Sequence, residues 1–370
     1  MINSPPWRGA RRAGWLSITF LAGNKKNQLH QLSVPMLDRL AIKPGAHMHK
    51  KIITTNEANQ RLDKFLHKYL PKAGNSFIFK MLRKKNITIN GKKASGNEKI
   101  VIGDEIIFFI SEETIHKFQN PSSNLHNYSE ALHKVGELNI LYENEHILAV
   151  DKPVGLLSQR ANVEDISLND WVIGYLFAKG EINEDSLKTF KPSILNRLDR
   201  NTGGIVLCGK SLIGSQVVSR LLKEKRVKRF YQLIVKGKLT EAGELGGYLS
   251  KDEKANKVRV HNTQVKEETA ILTKYRPLKQ YSEYTLVEAE LVTGKTHQIR
   301  AHFASIGFPL IGDYKYGDRE LNDKYKRLYG VQSQLLHAYK IVFPVMEAPL
   351  HDLSELEIIS VKFPSLEGCP

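Results

Sequence analysis

The chain has 370 residues, 41% of them apolar, and a formal net charge of +16 from 55 Lys/Arg against 39 Asp/Glu. That is enough to bury one large core and a small satellite domain, in a soluble protein whose surplus charge calls for a polyanionic partner. Two cysteines and 13 histidines without metal-ligand spacing exclude a disulfide framework and give no support to metal chemistry, which suits a reducing compartment.

The basicity is uneven. Residues 1–47 hold seven Lys/Arg and one Asp/Glu and residues 48–111 hold thirteen and five, which leaves a surplus of only +2 for 112–370. A generally solubilising surface would show no such gradient.

Residues 1–47 carry Pro5-Pro6, Arg8, Arg11 and Arg12, and an apolar patch from Trp15 to Ala22, but no sustained period. The patch is too short to span a bilayer, so no membrane is expected. We read the stretch as a dispensable extension before Met48. A signal peptide, or a transit peptide that would send the protein to an organelle, is the alternative.

Leu62, Phe65, Leu66, Tyr69 and Leu70 recur at helical spacing between Gln60 and Leu70, and Pro71 ends that helix. A second helix is expected to start on Ser76 as its N-cap, to bury Phe77, Ile78, Met81 and Leu82, and to end in the cations Arg83, Lys84 and Lys85. Alternation over Ile87–Ile89 then meets an Asn90-Gly91 turn and Lys92, and a strand over Asp104–Ile110 closes the unit. In this order, residues 58–110 resemble the S4 RNA-binding module. The resemblance implies that a domain over 48–111 contacts RNA through Arg61, Arg83, Lys84, Lys85 and Lys92. Residues 112–138, rich in Asn, Ser and His with Pro121-Ser122-Ser123, read as a linker that lets two domains be positioned separately.

The large domain, 139–370, opens with strands over Ile140–Tyr142 and Ile147–Asp151, followed by Lys152-Pro153-Val154-Gly155, which on its own reads as an ordinary turn. A helix capped by Ser167 places Leu168, Trp171, Val172, Tyr175 and Leu176 on one stripe. Next comes Asn196-Arg197-Leu198-Asp199-Arg200-Asn201-Thr202-Gly203-Gly204, feeding the apolar run Ile205–Cys208. One carboxylate between two guanidinium groups, in a turn that enters a buried strand, makes Asp199 the candidate catalyst. A solvated salt-bridge patch is the competing reading.

Gly204-x-x-x-x-Gly209-Lys210-Ser211 has the letters of a P-loop, a nucleotide site. Its four middle residues are Ile-Val-Leu-Cys and belong to the strand itself, so the match is taken as accidental. A helix from Ser211 buries Leu212, Val218, Leu221 and Leu222, and a strand over Arg229–Val235 puts Tyr231, Leu233 and Val235 on one face. A strand over Ser282–Val292 leads into Thr293-Gly294-Lys295-Thr296-His297-Gln298-Ile299-Arg300, and a helix over about 296–306 turns Ile299, Phe303 and Ile306 inward. His337, beside apolar residues, is read as structural. Short strands with a few helices and no βαβ rhythm argue for an α+β fold, and no internal repeat is visible.

The nonamer resembles the His-Arg-Leu-Asp-x-x-Thr-Ser-Gly motif of RNA pseudouridine synthases of the large-subunit ribosomal type, with Asn196 in the first place and Gly203 for the Ser. Lys152–Gly155 is similar to that family's first motif, Arg229-Phe230-Tyr231 to its Lys/Arg-x-Tyr, and Gly294–Arg300 to its Gly-Arg-Thr-His-Gln-Ile-Arg with Lys295 for the Arg. Gly312-Asp313-x-x-Tyr316-Gly317 and Leu335–Ala338 also resemble family segments. The resemblance implies a mainly antiparallel mixed sheet with a central cleft and conversion of uridine to pseudouridine in ribosomal RNA without a cofactor, by a cytoplasmic monomer. It implies Asp199 as catalyst, Arg300 as its partner, Tyr231 stacked on the target base and Arg197 suited to the vacated stack. The alternative is a non-catalytic RNA-binding protein of ribosome assembly.

Overall fold

The computed structural model describes residues 48–370 except 120–124, 253–256, 265–267, 362 and 364–370. The expected extension over 1–47, Pro121-Ser122-Ser123 and Cys369 therefore lie outside the described residues.

The N-terminal module runs β1 (His49–Ile52), α1 (Leu62–Tyr69), α2 (Asn75–Arg83), β2 (Ile87–Ile89), β3 (Lys92–Lys93) and β4 (Glu105–Phe108), and its sheet has the antiparallel order β1-β4-β2-β3. The stripe read from sequence is its core: Leu62, Phe65, Leu66 and Tyr69 of α1 pack with Ile78, Met81 and Leu82 of α2. Asn90 and Gly91 both have positive φ, 49° and 70°, which is the turn that a two-residue hairpin with right-handed twist requires. The expected cap moves. Gly74, not Ser76, precedes α2, with no side-chain capping bond, and Ser76 lies inside the first turn.

Residues 112–138 are not a plain linker. They carry α3 (Glu112–Phe118), capped by Ser111, and α4 (Leu125–Val135). Tyr128, Leu132 and Val135 of α4 fall at helical spacing and pack on the large core, and Ala131 among them is buried. The approach is close: a Cβ on Gly174 of the facing helix would lie 2.4 Å from the Tyr128 carbonyl oxygen. A polar-looking sequence docks because its few apolar residues share one face and its partner is glycine there. The N-terminal module also touches the large domain directly. Thr189 Oγ1 donates to the buried Glu57 carboxylate at 2.6 Å, and the Leu212 amide donates to Asn56 Oδ1 at 3.3 Å.

The large domain continues β5 (Asn139–Glu143), β6 (Ile147–Lys152), α5 (Leu168–Ala178), α6 (Glu184–Leu187), β7 (Ser193–Ile194), β8 (Gly203–Gly209), α7 (Leu212–Lys223), β9 (Lys228–Lys236) and β10 (Gly243–Asp252). It ends with β11 (Lys257–His261), β12 (Thr269–Gln280), β13 (Tyr284–Leu291), α8 (Gln298–Ser305), α9 (Arg319–Tyr329), β14 (Leu336–Val342) and β15 (Glu357–Ile359). One sheet runs β11-β10-β12-β13-β9-β14-β8-β6-β5, with β7 on β8 and β15 on β14. Its pairs are antiparallel except β14 with β8, so the sheet is mixed as expected.

β6 and β8 are buried along their whole length, which is why they read as continuous apolar runs and not as alternation. Leu148, Val150, Val206 and Cys208 face the core shared with α5, while Ile147, Ala149, Ile205 and Leu207 face a second core with Val218 and Leu221 of α7. Each Val, Leu or Ile among them contributes about 1.5–3 kcal/mol by leaving water. β8 and β14 also approach closely at Gly204, where φ is 110° and a Cβ would lie 2.2 Å from the Ala338 carbonyl oxygen, so only glycine fits. Among the described residues no helix is long and apolar enough to cross a membrane.

Candidate active site

The loop before β8 carries Asp199, and it is held from beneath by three devices. Asn196 donates from Nδ2 to the Ile205 carbonyl at 3.2 Å and accepts from the Leu207 amide at 2.7 Å, so the residue that departs from the family motif anchors the loop to β8. Ser158 Oγ bonds both the amide and the carbonyl of Leu198, at 3.0 and 2.8 Å. Lys152, 1% exposed, spends its ammonium on the carbonyls of Pro153, Leu156 and Arg200, at 2.9, 2.8 and 3.1 Å. Burial pushes the Lys152 pKa down to about 8, with the Asp199 charge acting the other way. Lys152-Pro153-Val154-Gly155 is thus more than a turn: it ties the end of β6 to the Asp199 loop.

Asp199 projects into a cavity of about 760 Å³ whose walls include Arg197, Tyr231, Lys295, His297 and Arg300. Arg300, on α8, donates from Nη1 to Asp199 Oδ2 at 3.0 Å. Its Nε and Nη2 form a fork with Asp313 at 2.7 and 2.9 Å. Asp313 is fully buried and also accepts from the amides of Lys315 and Tyr316. Burial works against charge on both partners, but the fork outweighs it, so Arg300 is raised above its ordinary pKa and Asp313 is held below the ordinary carboxylate range. The Tyr316 ring lies 5.2 Å from the guanidinium and completes its seat.

His297 opens α8 in the left-handed conformation, φ 54°, and its Nε2 lies 3.7 Å from Asp199 Oδ2. Tyr316 Oη accepts from the Val258 amide at 2.8 Å, so its own proton is free for His297 Nδ1 at 2.9 Å, which leaves Nε2–H directed toward Asp199. Burial lowers the His297 pKa, and the ring is neutral at neutral pH. Tyr231 enters the cavity from β9, between Ala289 and Ala338 of the neighbouring strands. It is 5% exposed, its pKa is raised by burial, and no described residue bonds its hydroxyl.

The structure therefore brings together Asp199, Tyr231 and Arg300, which are far apart in sequence, and leaves Arg197 exposed on the cavity wall. Arg61, Arg83, Lys84, Lys85 and Lys92 lie on the N-terminal module and none lines this cavity. The Arg61 guanidinium is bound to Asp63 at 2.6 Å and to Asn97 at 2.6 Å, whereas Arg83, Lys84, Lys85 and Lys92 are exposed. His337, read from sequence as structural, is buried and bonds Ser360 Oγ at 2.7 Å. Asp313, His297 and Lys152 were not singled out from sequence. The signal was present in the quoted segments, but each role depends on a partner at least 48 residues away or in another element.

The P-loop letters are used for structure. Lys210 pairs with Glu143 and Glu181, both at 2.6 Å, and Ser211 Oγ caps α7 by accepting from the Gly214 amide at 3.0 Å. Neither group is available to a nucleotide.

A mixed sheet that presents one partly exposed carboxylate, gripped by a buried guanidinium in a cavity with cationic walls, suits an enzyme that works on an anionic substrate. The chain belongs to the RNA pseudouridylate synthase family: residues 146–305 match the family model of that description. It is 31% identical over 315 residues to the ribosomal large subunit pseudouridine synthase C of Vibrio cholerae, covering 82% of this chain and 92% of that one. The protein of that name from Rickettsia bellii is 31% identical over 296 residues, 79% of this chain and 92% of its own. An uncharacterized RNA pseudouridine synthase of Mycoplasma genitalium is 31% identical over 307 residues, 81% and 90% of the two chains. The protein is an RNA pseudouridine synthase, an isomerase.

Proposed function

We propose that the substrate is large-subunit ribosomal RNA, 23S RNA in bacterial terms, and that Asp199 carries the isomerisation in the cytoplasm, by a monomer without a cofactor. The names of the Vibrio and Rickettsia relatives support the substrate. The observation that carries the chemistry is the Asp199 carboxylate in the cavity, bonded at 3.0 Å by Arg300, whose own fork to Asp313 fixes its direction. The second domain, over 48–111, is an S4-like RNA-binding module. Its two helices, the hairpin with Lys92 and the exposed cations at the end of α2 support that reading.

The reaction breaks the bond from C1′ to N1, turns the freed uracil and joins C1′ to C5. The proton lost from C5 is matched by one gained at N1, so no redox partner is required. Flipping the uridine out of its stack costs about a few kcal/mol, offset by contacts in the cavity. Arg197, an exposed planar cation on the cavity wall, is placed to stack where the base was. Tyr231 holds the flipped ring. Asp199 attacks C1′ or takes the proton from C2′. Arg300 holds the carboxylate in place for either step, and the neutral His297 adds a donor on the same side.

Asp199→Asn preserves shape and removes the anionic oxygen on which both routes depend. Tritium release from 5-[³H]uridine in ribosomal RNA is expected to fall by about a thousandfold or more, a barrier increase of about 4 kcal/mol, while filter binding of the same RNA persists. Release at the wild-type rate would remove Asp199 from the mechanism and return its loop to the status of a salt-bridged turn.

A further inference from the structure

The catalytic domain is nearly neutral on average, but its charge is concentrated. Residues 220–229 hold six Lys/Arg against one Asp/Glu, while the remaining 249 residues of 112–370 hold 29 against 32. The whole positive surplus of residues 112–370 therefore sits in ten residues, at the end of α7 and the entry to β9.

These cations are also unspent. Arg220, Lys223, Lys225, Arg226 and Lys228 are all exposed, and among the described residues none has an ion pair or a side-chain hydrogen bond. Elsewhere on the same domain Lys179, Lys236, Lys274, Arg276 and Lys324 each face a carboxylate within 3.0 Å. The helix dipole accounts for cations in the last turn, which covers Arg220 and Lys223. It does not account for Lys225, Arg226 and Lys228, which lie beyond the helix.

The turn is built to hold its shape. Lys225 donates its amide to the Leu222 carbonyl at 3.2 Å and Arg226 donates to Leu221 at 2.9 Å, the two bonds of a Schellman closure. Val227, 3% exposed, pins the far side into the core with Leu221. Lys225 has φ 60°, a conformation in which glycine is the ordinary residue, so a cation stands where stability alone would choose otherwise. The end of α2 repeats the arrangement: Lys85 has φ 59°, its amide bonds Leu82 at 3.1 Å, and the Asn86 amide bonds Met81 at 2.9 Å. The turn also adjoins the site, because Leu222 before it and Arg229 after it both line the Asp199 cavity.

We infer that the α7–β9 turn is a phosphate-binding ledge beside the active-site cleft, on which the backbone of the substrate RNA lies next to the nucleotide that enters the cavity. The inference rests on RNA as substrate. A rigid loop of unpaired cations gains affinity by displacing counterions from phosphates, without reading the bases.

The test uses the full chain with Lys225→Gly, Arg226→Gln and Lys228→Gln together. Glycine suits the positive φ at 225, so the melting temperature is expected to stay at or above that of the wild type. Binding to a ribosomal RNA fragment is measured by filter retention across a range of salt, with steady-state tritium release in parallel. Each lost phosphate contact lowers the slope of log affinity against log salt by roughly 0.7–0.9, so the slope is expected to fall by about 2. Dissociation constant and KM are expected to rise about tenfold near physiological salt, with kcat within about twofold. Lys326→Gln with Arg327→Gln on α9, also exposed, serves as the comparison and is expected to change the slope by less than about 0.5. An unchanged slope and KM in the triple variant, or an equal loss in the α9 variant, would overturn the ledge. The two readings fail separately: a wild-type protein that releases no tritium from ribosomal RNA refutes that substrate, whereas the salt slope judges the ledge on binding alone.

Discussion

Two kinds of charge are built into this protein, and they differ in whether the protein itself answers them. In the cleft, Asp199, Arg300 and Asp313 form a closed chain of bonds between 2.7 and 3.0 Å, and Lys152 gives its ammonium to three carbonyls. On the turns after α2 and α7, Lys84, Lys85, Lys225 and Arg226 stand on equally rigid backbone and have no partner among the described residues. An answered charge is fixed in direction, whereas an unanswered charge on a fixed backbone stays available to a partner outside the protein. The cleft should therefore fail in turnover and the turns in binding.

Beyond Asp199, the largest loss in turnover is expected from Tyr231→Phe. The ring is seated by burial between two alanine positions, so stacking and RNA affinity should survive. The hydroxyl has no protein partner among the described residues, and burial keeps it protonated at neutral pH, which leaves it free to exchange a proton with the flipped base. A fall in kcat of about a hundredfold with KM within about twofold is expected in single-turnover and steady-state assays. Wild-type turnover would mean that only the ring matters.

Asp313→Asn sharpens the comparison from the other side of Arg300. The amide can no longer give two anionic oxygens to the fork, so Arg300 loses its fixed direction and Asp199 its stable partner. We expect kcat to fall by about thirtyfold, within what a misplaced catalytic group costs, and stability to fall by about 3 kcal/mol, as for other broken buried pairs. The sign of the pH dependence follows from the depressed pKa of Asp313. Its contribution to stability is fully present above its unfolded pKa, about 4, and is lost as pH falls through the lower folded value. Urea denaturation at pH 7 and at pH 3 should therefore show the gap between wild type and variant closing in acid, and a constant gap would count against the fork.

How much of this was legible depended on whether a residue's partner was local. Asp199, Tyr231 and Arg300 were readable because each sits in a contiguous motif, and the buried runs of β6 and β8 because both faces are covered. Asp313 and Lys152 become meaningful only when a loop far along the chain arrives beside them. Helix α4 was hidden by its Asn, Ser and His content, since the stripe from Tyr128 to Val135 is short and its docking depends on Gly174. β10 and β12 lie toward the outer end of the sheet, half exposed and polar, and lack the apolar run that marks the centre. The basic turn after α7 was lost in an average: a total of +2 over residues 112–370 conceals a local surplus of +5 in residues 220–229.

The smallest effect tests whether the two turns are the same device. Replacing Arg83, Lys84 and Lys85 by Ala leaves the α2 core untouched, because Ile78, Met81 and Leu82 carry the packing and the three cations are exposed. Kd for ribosomal RNA should rise severalfold and the salt slope should fall by about 2, with kcat unchanged. The comparison is drawn by combining this variant with the α7 triple. If both turns hold phosphates on one RNA at separate places, their losses are independent, and the slope of the combined variant should fall by about 4, the sum of the two. A combined loss no larger than either alone would mean that the two turns do not hold separate phosphates of one RNA independently.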